Sequence, residues 1–560
     1  MLTRMNQPMI KRSRYWLMLA ITCLAVLSVG AVPASAQDFL VGEDILNYLA
    51  SLDQWPMFGQ NPMNTANNLD FAISTQTVGK LAPKWTFKTG GDVSARAAIV
   101  RGVAYFPDWA TPTTSSNLWA VDANSGKQIW KHTLSDYGLP TPTHSRTTPA
   151  VVGGVLYLGT QEGAWLLAID AQKGNLIWKK QLETVDPYAI ISTSPVVASG
   201  MVFTGIASTQ EGVLTPGFVA TARGSVVGVD AVSGQIRWKT YTIPPSGYAG
   251  GGVWGSNPVV DDIRGKVFVG TGNNYAAPTD PAYVTCVGKG GTPASCISPN
   301  DHTDSILALD MFTGDIKWST RLMNWNQTGI TNGTDFWDVN CLYHLPYGCP
   351  KPTGPDYDFG SAPNEITYFG RRGLTTIIGA GQKSGIYYAL DPDTGHVIWQ
   401  TQVGPGSALG GMEWGSASDG ERIYVAISNL NGIPVGTNGN FGGLWAAIDP
   451  DTGTVLWRTP DPNNAVDPGP VTVVNGVVYA ASMATNAPFV PGQNLGKVPS
   501  MFAMDASTGK ILWSFDAGSS VIAGASMANG TVYWGSGYTH LPLPGFTGNN
   551  TFYAFTVNGK

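Results

Sequence analysis

The sequence predicts an all-β fold, an eight-bladed β-propeller with tryptophan-docking repeats, closed by strands from both chain ends. Three observations predict it. An Asp/Gly/Trp pattern recurs at fixed internal spacing, the composition is rich in Gly (69) and Trp (19) with only 12% charged residues, and the two ends carry complementary fragments of the repeat.

The pattern is Asp, three residues, Gly, three residues, Trp. It occurs at Asp122/Gly126/Trp130, Asp170/Gly174/Trp178, Asp230/Gly234/Trp238, Asp310/Gly314/Trp318, Asp391/Gly395/Trp399, Asp449/Gly453/Trp457 and Asp505/Gly509/Trp513. An apolar run such as Ile306 to Leu309 precedes each Asp, and a second run such as Lys510 to Leu512 separates Gly from Trp. That is a β-hairpin: Asp accepts local backbone hydrogen bonds, Gly takes the positive φ, and the flanking strands pair. Successive Trp residues stand 48 to 81 apart, which leaves room for two more strands per unit, as at 149–158 and 476–481. Four strands make a blade, and a blade cannot bury both faces alone, so the ring must close. Trp85 lies one repeat before Trp130, while Phe552 to Phe555 resembles the strand before an Asp but lacks a following Trp. Together the ends supply the eighth blade and remove a free edge.

Ahead of the repeats, residues 1–36 read as a secretory signal. Lys11, Arg12 and Arg14 precede the apolar run Trp16 to Val29 and the small-residue site Ala34-Ser35-Ala36. The mature chain is then 37–560, periplasmic or secreted, with no membrane span after cleavage. A net charge of -6 offers no basic field for nucleic acid or anionic lipid. Four cysteines remain in an oxidising compartment, and sequence proximity pairs Cys286 with Cys296 and Cys341 with Cys349, although four cysteines allow three connectivities. No Cys-x-x-Cys-His or His-Glu-x-x-His occurs, so neither a c-type haem nor a zinc motif is written in the chain. The two longest gaps between Trp residues hold Gly/Pro/Asn-rich insertions at 274–303 and 322–363, the kind of loop that carries function on a propeller face.

The repeats resemble those of the quinoprotein alcohol dehydrogenases over nearly all of residues 52–560, including the opening Trp55-Pro56-Met57-Phe58-Gly59. This resemblance implies pyrroloquinoline quinone (PQQ) and Ca²⁺ as cofactors and carries over to particular residues. Asn273, ending Thr271-Gly272-Asn273, matches an Asn that binds calcium through its side-chain oxygen, a donor suited to a hard cation. Asp338, closing Asp335-Phe336-Trp337-Asp338, matches the catalytic base beside the metal. Glu211, ahead of Arg223-Gly224, is the match for a third metal ligand. Trp254, 19 residues before Asn273, falls where the family places the ring beneath the quinone. Lys383, in Gly381-Gln382-Lys383-Ser384-Gly385, matches the basic residue that hydrogen-bonds the quinone oxygens. Bland readings stand beside each: a left-handed turn for Asn273, a surface turn for Asp338 and Lys383, a solvated loop for Glu211, a core ring for Trp254.

Some positions depart from the pattern. Thr147-Thr148 replaces the adjacent cysteines of methanol- and ethanol-oxidising members, and Arg146 stands in for a basic residue that would otherwise fall near Gly153. Asn340, two residues past Asp338, is an Asp in lanthanide-using members, and one fewer carboxylate favours Ca²⁺. The implied reaction is oxidation of a primary or secondary alcohol, polyvinyl alcohol among the candidates, with electrons passing to a soluble cytochrome c or another external acceptor. The rival from another class is a non-catalytic propeller that organises envelope proteins. Gly250-x-Gly252-x-x-Gly255 satisfies a dinucleotide-binding pattern, but no helical periodicity follows it, so that reading is set aside.

Overall fold

The computed structural model describes residues 53–323, 333–435, 440–484, 498–541 and 545–560. The expected signal at 1–36 and residues 324–332 of the second insertion lie outside them. Among the described residues no helix is long and apolar enough to cross a membrane.

Eight antiparallel sheets form the ring, each of four strands, with a fifth short strand, Ala189–Ile190, on one of them. Blade 1 consists of Ala98–Val100, Val103–Pro107, Asn117–Asp122 and Gln128–Thr133. Blades 2 to 7 repeat this order within 150–181, 196–241, 259–321, 364–402, 417–460 and 472–515. Blade 8 joins Ser526–Ala528, Thr531–Gly535 and Thr551–Val557 to the N-terminal strand Leu81–Lys88, in register from Leu81 opposite Val557 to Lys88 opposite Thr551. The expected seam is therefore the observed one.

First strands of neighbouring blades touch one another, which puts them innermost, and they are almost wholly buried. Fourth strands such as Gln128–Thr133 alternate with solvent and form the rim. Each repeat tryptophan, and Trp85 of the closing strand, donates its indole N–H to a backbone carbonyl of the next blade at 3.0 to 3.2 Å. The seven repeat glycines hold φ between +70° and +75°. A Cβ on any of them would lie 2.5 to 3.0 Å from the Trp ring of the preceding blade. Glycine is thus required twice over, by backbone conformation and by the ring stacked on it.

Residues 55–66 run across the inner strands, with backbone hydrogen bonds that reach blades 1, 2, 4, 5, 6 and 7. Arg96 braces this segment: it donates to the Phe58 carbonyl at 2.6 Å and lies over the Trp55 and Phe58 rings.

In such a meander the turns joining strands one to two and three to four share one face. The connections from strand two to three, and from blade to blade, share the other. Both insertions belong to the second face, 274–303 within blade 4 and 322–363 between blades 4 and 5. The expected disulfides pin them locally, Cys286–Cys296 beside the helix Pro281–Gly288 and Cys341–Cys349 beside the helical turn Val339–Leu342.

Candidate active site

Glu211, Trp254, Asn273, Asp338, Lys383 and Arg146 all occur on connections of that second face. Hydrogen bonds between backbones gather the segments. Beyond the strand Lys266–Gly270, the chain at 271–275 runs between two others: Gly272 N–H donates to the Gly252 carbonyl at 2.7 Å, and Trp337 N–H to the Asn274 carbonyl at 2.9 Å. Glycines permit the close approach, since a Cβ on Gly250 would meet the Asn273 carbonyl at 2.3 Å. The segments of Trp254, Asn273 and Asp338 therefore lie side by side.

Asn273 is 1% exposed; its amide N–H donates to the Trp337 carbonyl at 2.8 Å, while its side-chain oxygen is buried without a hydrogen-bond partner. A buried acceptor left unpaired costs about 1–3 kcal/mol, so a group that satisfies it is expected. Asp338 is half-buried and caps the turn Val339–Leu342, accepting from Asn340 N–H at 2.8 Å. Burial raises its pKa against the pull of the Asn340 amide. Glu211 sits in the 3-10 turn Thr209–Gly212. Gln210 shapes this loop, its side-chain oxygen accepting from Thr221 and Ala222 N–H groups at 2.7 and 3.0 Å. The turn meets that of Asp338 through Asn340, whose amide donates to the Val213 carbonyl at 3.4 Å.

At the centre is Lys383, not the exposed turn residue of the bland reading but 5% exposed. Its ammonium lies 2.9 Å from Asp356 Oδ1 and 2.9 Å from Asp358 Oδ1. It also stands 4.9 Å from the centre of the Trp254 ring. Asp358 completes the unit, since its other oxygen, Oδ2, accepts from the Trp254 indole N–H at 2.7 Å. One carboxylate thus orients both the ring and the cation.

Acids outnumber bases here. Burial and then Asp356 push Glu211 well above the usual carboxylate range although part of it still meets solvent; Lys383 pulls the other way. Burial is also the largest cause for Asp356, raised to about 7, and for Glu413, raised to about 8, with Lys383 opposing in both. Asp335, whose carboxylate accepts from the Asp356 and Tyr357 N–H groups at 2.8 and 2.6 Å, is driven up by burial and by Asp356. Lys383 is held well above its ordinary value: its acidic neighbours outweigh the effect of burial. A pocket so furnished favours a cation.

Arg146 stands apart from Lys383. Its guanidinium lies over Trp414 at 4.4 Å and donates to Tyr538 Oη at 3.2 Å, and Trp414 meets Trp254 edge-on at 5.4 Å. Sequence reasoning missed Asp356, Asp358 and Glu413 as site residues. The spacing of Asp356-Tyr357-Asp358 was the available signal, two carboxylates on one short loop.

Known proteins resemble this chain in sequence and in fold. The PQQ_2 family model, described as outer membrane protein assembly factor BamB, matches residues 76–285 and 440–559. Polyvinylalcohol dehydrogenase from a Pseudomonas species is 29% identical over 566 residues, covering 91% of this chain and 78% of that protein. The polyvinylalcohol dehydrogenase of Sphingopyxis sp. strain 113P3 is 28% identical with the same coverage, 91% and 78%. Among solved structures, the quinohemoprotein alcohol dehydrogenase of Comamonas testosteroni superposes with a TM-score of 0.65 at 19% identity, over 94% of this chain and 84% of that one, a likeness of fold.

Proposed function

The chain belongs to the PQQ_2 family, and from that premise we propose that it is an exported quinoprotein dehydrogenase. Its substrates are primary or secondary alcohols, polyvinyl alcohol among them, and its cofactors PQQ and Ca²⁺. The observation that carries the reading is the Lys383, Asp358 and Trp254 unit: a buried ammonium poised over an indole whose N–H is fixed by the same carboxylate. An ammonium donor laid against an aromatic floor suits a flat, carbonyl-bearing ring.

The residues present also fit a cation. Asn273 offers a buried oxygen that lacks a donor, and burial raises the carboxylates of Glu211 and Asp338, which a cation would offset. Glu211, Asp338 and the Asn273 carboxamide oxygen would hold Ca²⁺; among the described residues no three Asp, Glu, His or Cys side chains are gathered at metal-ligating spacing.

When bound, the quinone supplies the two-electron acceptor for the hydride of the carbinol carbon. Trp254 would form its floor, and Lys383 would supply positive charge beside it. Asp338 takes the hydroxyl proton onto its carboxylate, a role that requires the ionised form and hence a neighbouring cation to offset its burial. Arg146, one ring away over Trp414, adds positive charge at the mouth. Electrons leave to a separate acceptor, most simply a soluble cytochrome c. The signal at 1–36 sends the chain to the periplasm or beyond.

Purified protein given PQQ and Ca²⁺ should reduce a dye acceptor in the presence of alcohol. Asp338→Asn should keep the fold and quinone uptake while turnover drops by about 10²–10⁴-fold, the usual range for a lost acid–base group. Near-normal turnover in that variant would move the base elsewhere. The family description favours a second reading, a non-catalytic envelope scaffold. Unchanged absorbance and unchanged thermal stability on adding PQQ and Ca²⁺ would favour the scaffold.

A further inference from the structure

A second cavity opens among loops of blades 8, 1, 2 and 3 and shares no residue with the Lys383 cluster. It encloses about 820 Å³, inside the ~300–1,000 Å³ range of ligand pockets and far more than a small alcohol fills. Trp109 forms a wall, stacked on His144 at 4.6 Å and meeting His540 edge-on at 4.1 Å; Tyr188, exposed, stands among the other lining residues.

The cleft contains charges, but they are spent. His144 Nδ1 faces Glu162 Oε1 at 2.7 Å and its Nε2 faces the Thr111 carbonyl at 3.0 Å, so both nitrogens donate and the imidazolium neutralises Glu162. Asp92 already accepts three hydrogen bonds, from Thr539 N–H and Oγ1 and from Asn549 N–H, at 2.7, 2.6 and 2.9 Å. What remains free is neutral. His540 makes no hydrogen bond through its ring among the described residues, and burial, with Arg146 and His144 nearby, keeps it uncharged. Flat rings and a free imidazole, with the carboxylates already engaged by donors of the protein, suit a ligand with alternating C–H and O–H faces.

The cleft also adjoins the candidate active site. Thr209, on its wall, opens the turn that holds Glu211. His144 is two residues before Arg146, and His540 two residues after Tyr538, to which Arg146 donates. We propose that this cleft binds a neutral hydroxylated chain, the part of an oligomeric alcohol that flanks its reacting carbinol, with Trp109 packing on the carbon backbone and His540 bonding to a hydroxyl. The proposal rests on the alcohol-oxidising reading above for its link to catalysis, but not for binding itself.

Two measurements keep these apart. Calorimetric titration of the quinone-free protein with short polyvinyl alcohol oligomers should show binding, weakened at least tenfold in Trp109→Ala, restored in part by Trp109→Phe and weakened again in His540→Ala. In the reconstituted enzyme, Trp109→Ala should raise KM for the oligomer at least tenfold more than KM for 2-propanol, with kcat little moved. Oligomer binding without any alcohol oxidation would sink the dehydrogenase reading and leave the cleft standing. Oxidation of oligomers with the same KM in Trp109→Ala and His540→Ala as in the parent would overturn the cleft. Tighter binding of a neutral gluco-oligosaccharide than of the polyol would overturn the ligand class named here.

Discussion

Asp358 shows how much one side chain settles. Its two oxygens engage the Lys383 ammonium at 2.9 Å and the Trp254 indole at 2.7 Å, so the cation and the ring beneath it cannot shift independently. It is a positioning residue, and Asp358→Asn is the test. The amide can keep a hydrogen bond to Trp254 only by turning its N–H₂ toward Lys383, where a donor would meet a donor. Loss of the charge-assisted contact is expected to weaken quinone binding about tenfold, ~1.4 kcal/mol. Titration followed by tryptophan fluorescence should report this, together with an altered Trp254 emission in the quinone-free protein. Unchanged affinity and emission would mean that Lys383 and Trp254 are fixed by other contacts. The pairing of Asp358 with Lys383 and Trp254 was not legible in the sequence, although the Asp356-Tyr357-Asp358 spacing marked two carboxylates on one loop. Lys383 and Trp254 could be named there because they sit in short motifs. Asp358 comes from an irregular connection after Val339–Leu342, and only the folded chain carries it over 104 positions to Trp254. Arg146, also named from the sequence, lies over Trp414, which meets Trp254 edge-on, and stands apart from Lys383.

At the scale of the element, the repeat was legible because its constraint is local and recurs. Asp391 illustrates it: its Oδ1 accepts from the Asp393 and Thr394 N–H groups at 3.0 and 2.8 Å, closing the turn that puts Gly395 at φ +71°. Less visible in the sequence was the second duty of that glycine, to receive the Trp318 ring of the blade before it. These two duties separate by mutation. Gly200 has a similar φ of +74° with nothing within 4 Å of a new Cβ, so Gly200→Ala is charged for backbone strain alone, about 1 kcal/mol. Gly395→Ala adds a clash at 2.5 Å with Trp318 and should cost about 2–4 kcal/mol. Denaturant melts of the two variants measure the difference; equal losses would show that the ring gives way freely. The insertions were legible as long loops of one face, while the helices Pro281–Gly288 and Val339–Leu342 inside them were not, since four to eight residues are too few for a periodic signal.

For the whole molecule, the ring is a circuit of eight similar junctions, and its integrity depends on the one made from both chain ends. Trp513 donates to the Leu81 carbonyl at 3.0 Å and Trp85 to the Ala123 carbonyl at 3.2 Å, so Leu81–Lys88 is held on both flanks by neighbouring blades and within its own sheet by Thr551–Val557. That C-terminal strand buries Phe552, Tyr553 and Phe555, which are 0%, 8% and 0% exposed. At about 1.5–3 kcal/mol per buried aromatic, its removal forfeits roughly 5–9 kcal/mol, a large share of the ~5–15 kcal/mol that holds a typical protein folded. It also bares the edges of Leu81–Lys88 and Thr531–Gly535, which then seek other partners. Deletion of 551–560 should therefore yield a protein that melts far lower or associates through those edges, read by circular dichroism and size-exclusion chromatography. A synthetic peptide of residues 548–560 should restore the parent's elution and melting temperature by adding the missing strand in trans. A truncated chain that keeps the parent's elution and stability would mean that seven blades and an open gap suffice. The opening segment 55–66, stitched to six inner strands, would then be the true clasp of the ring.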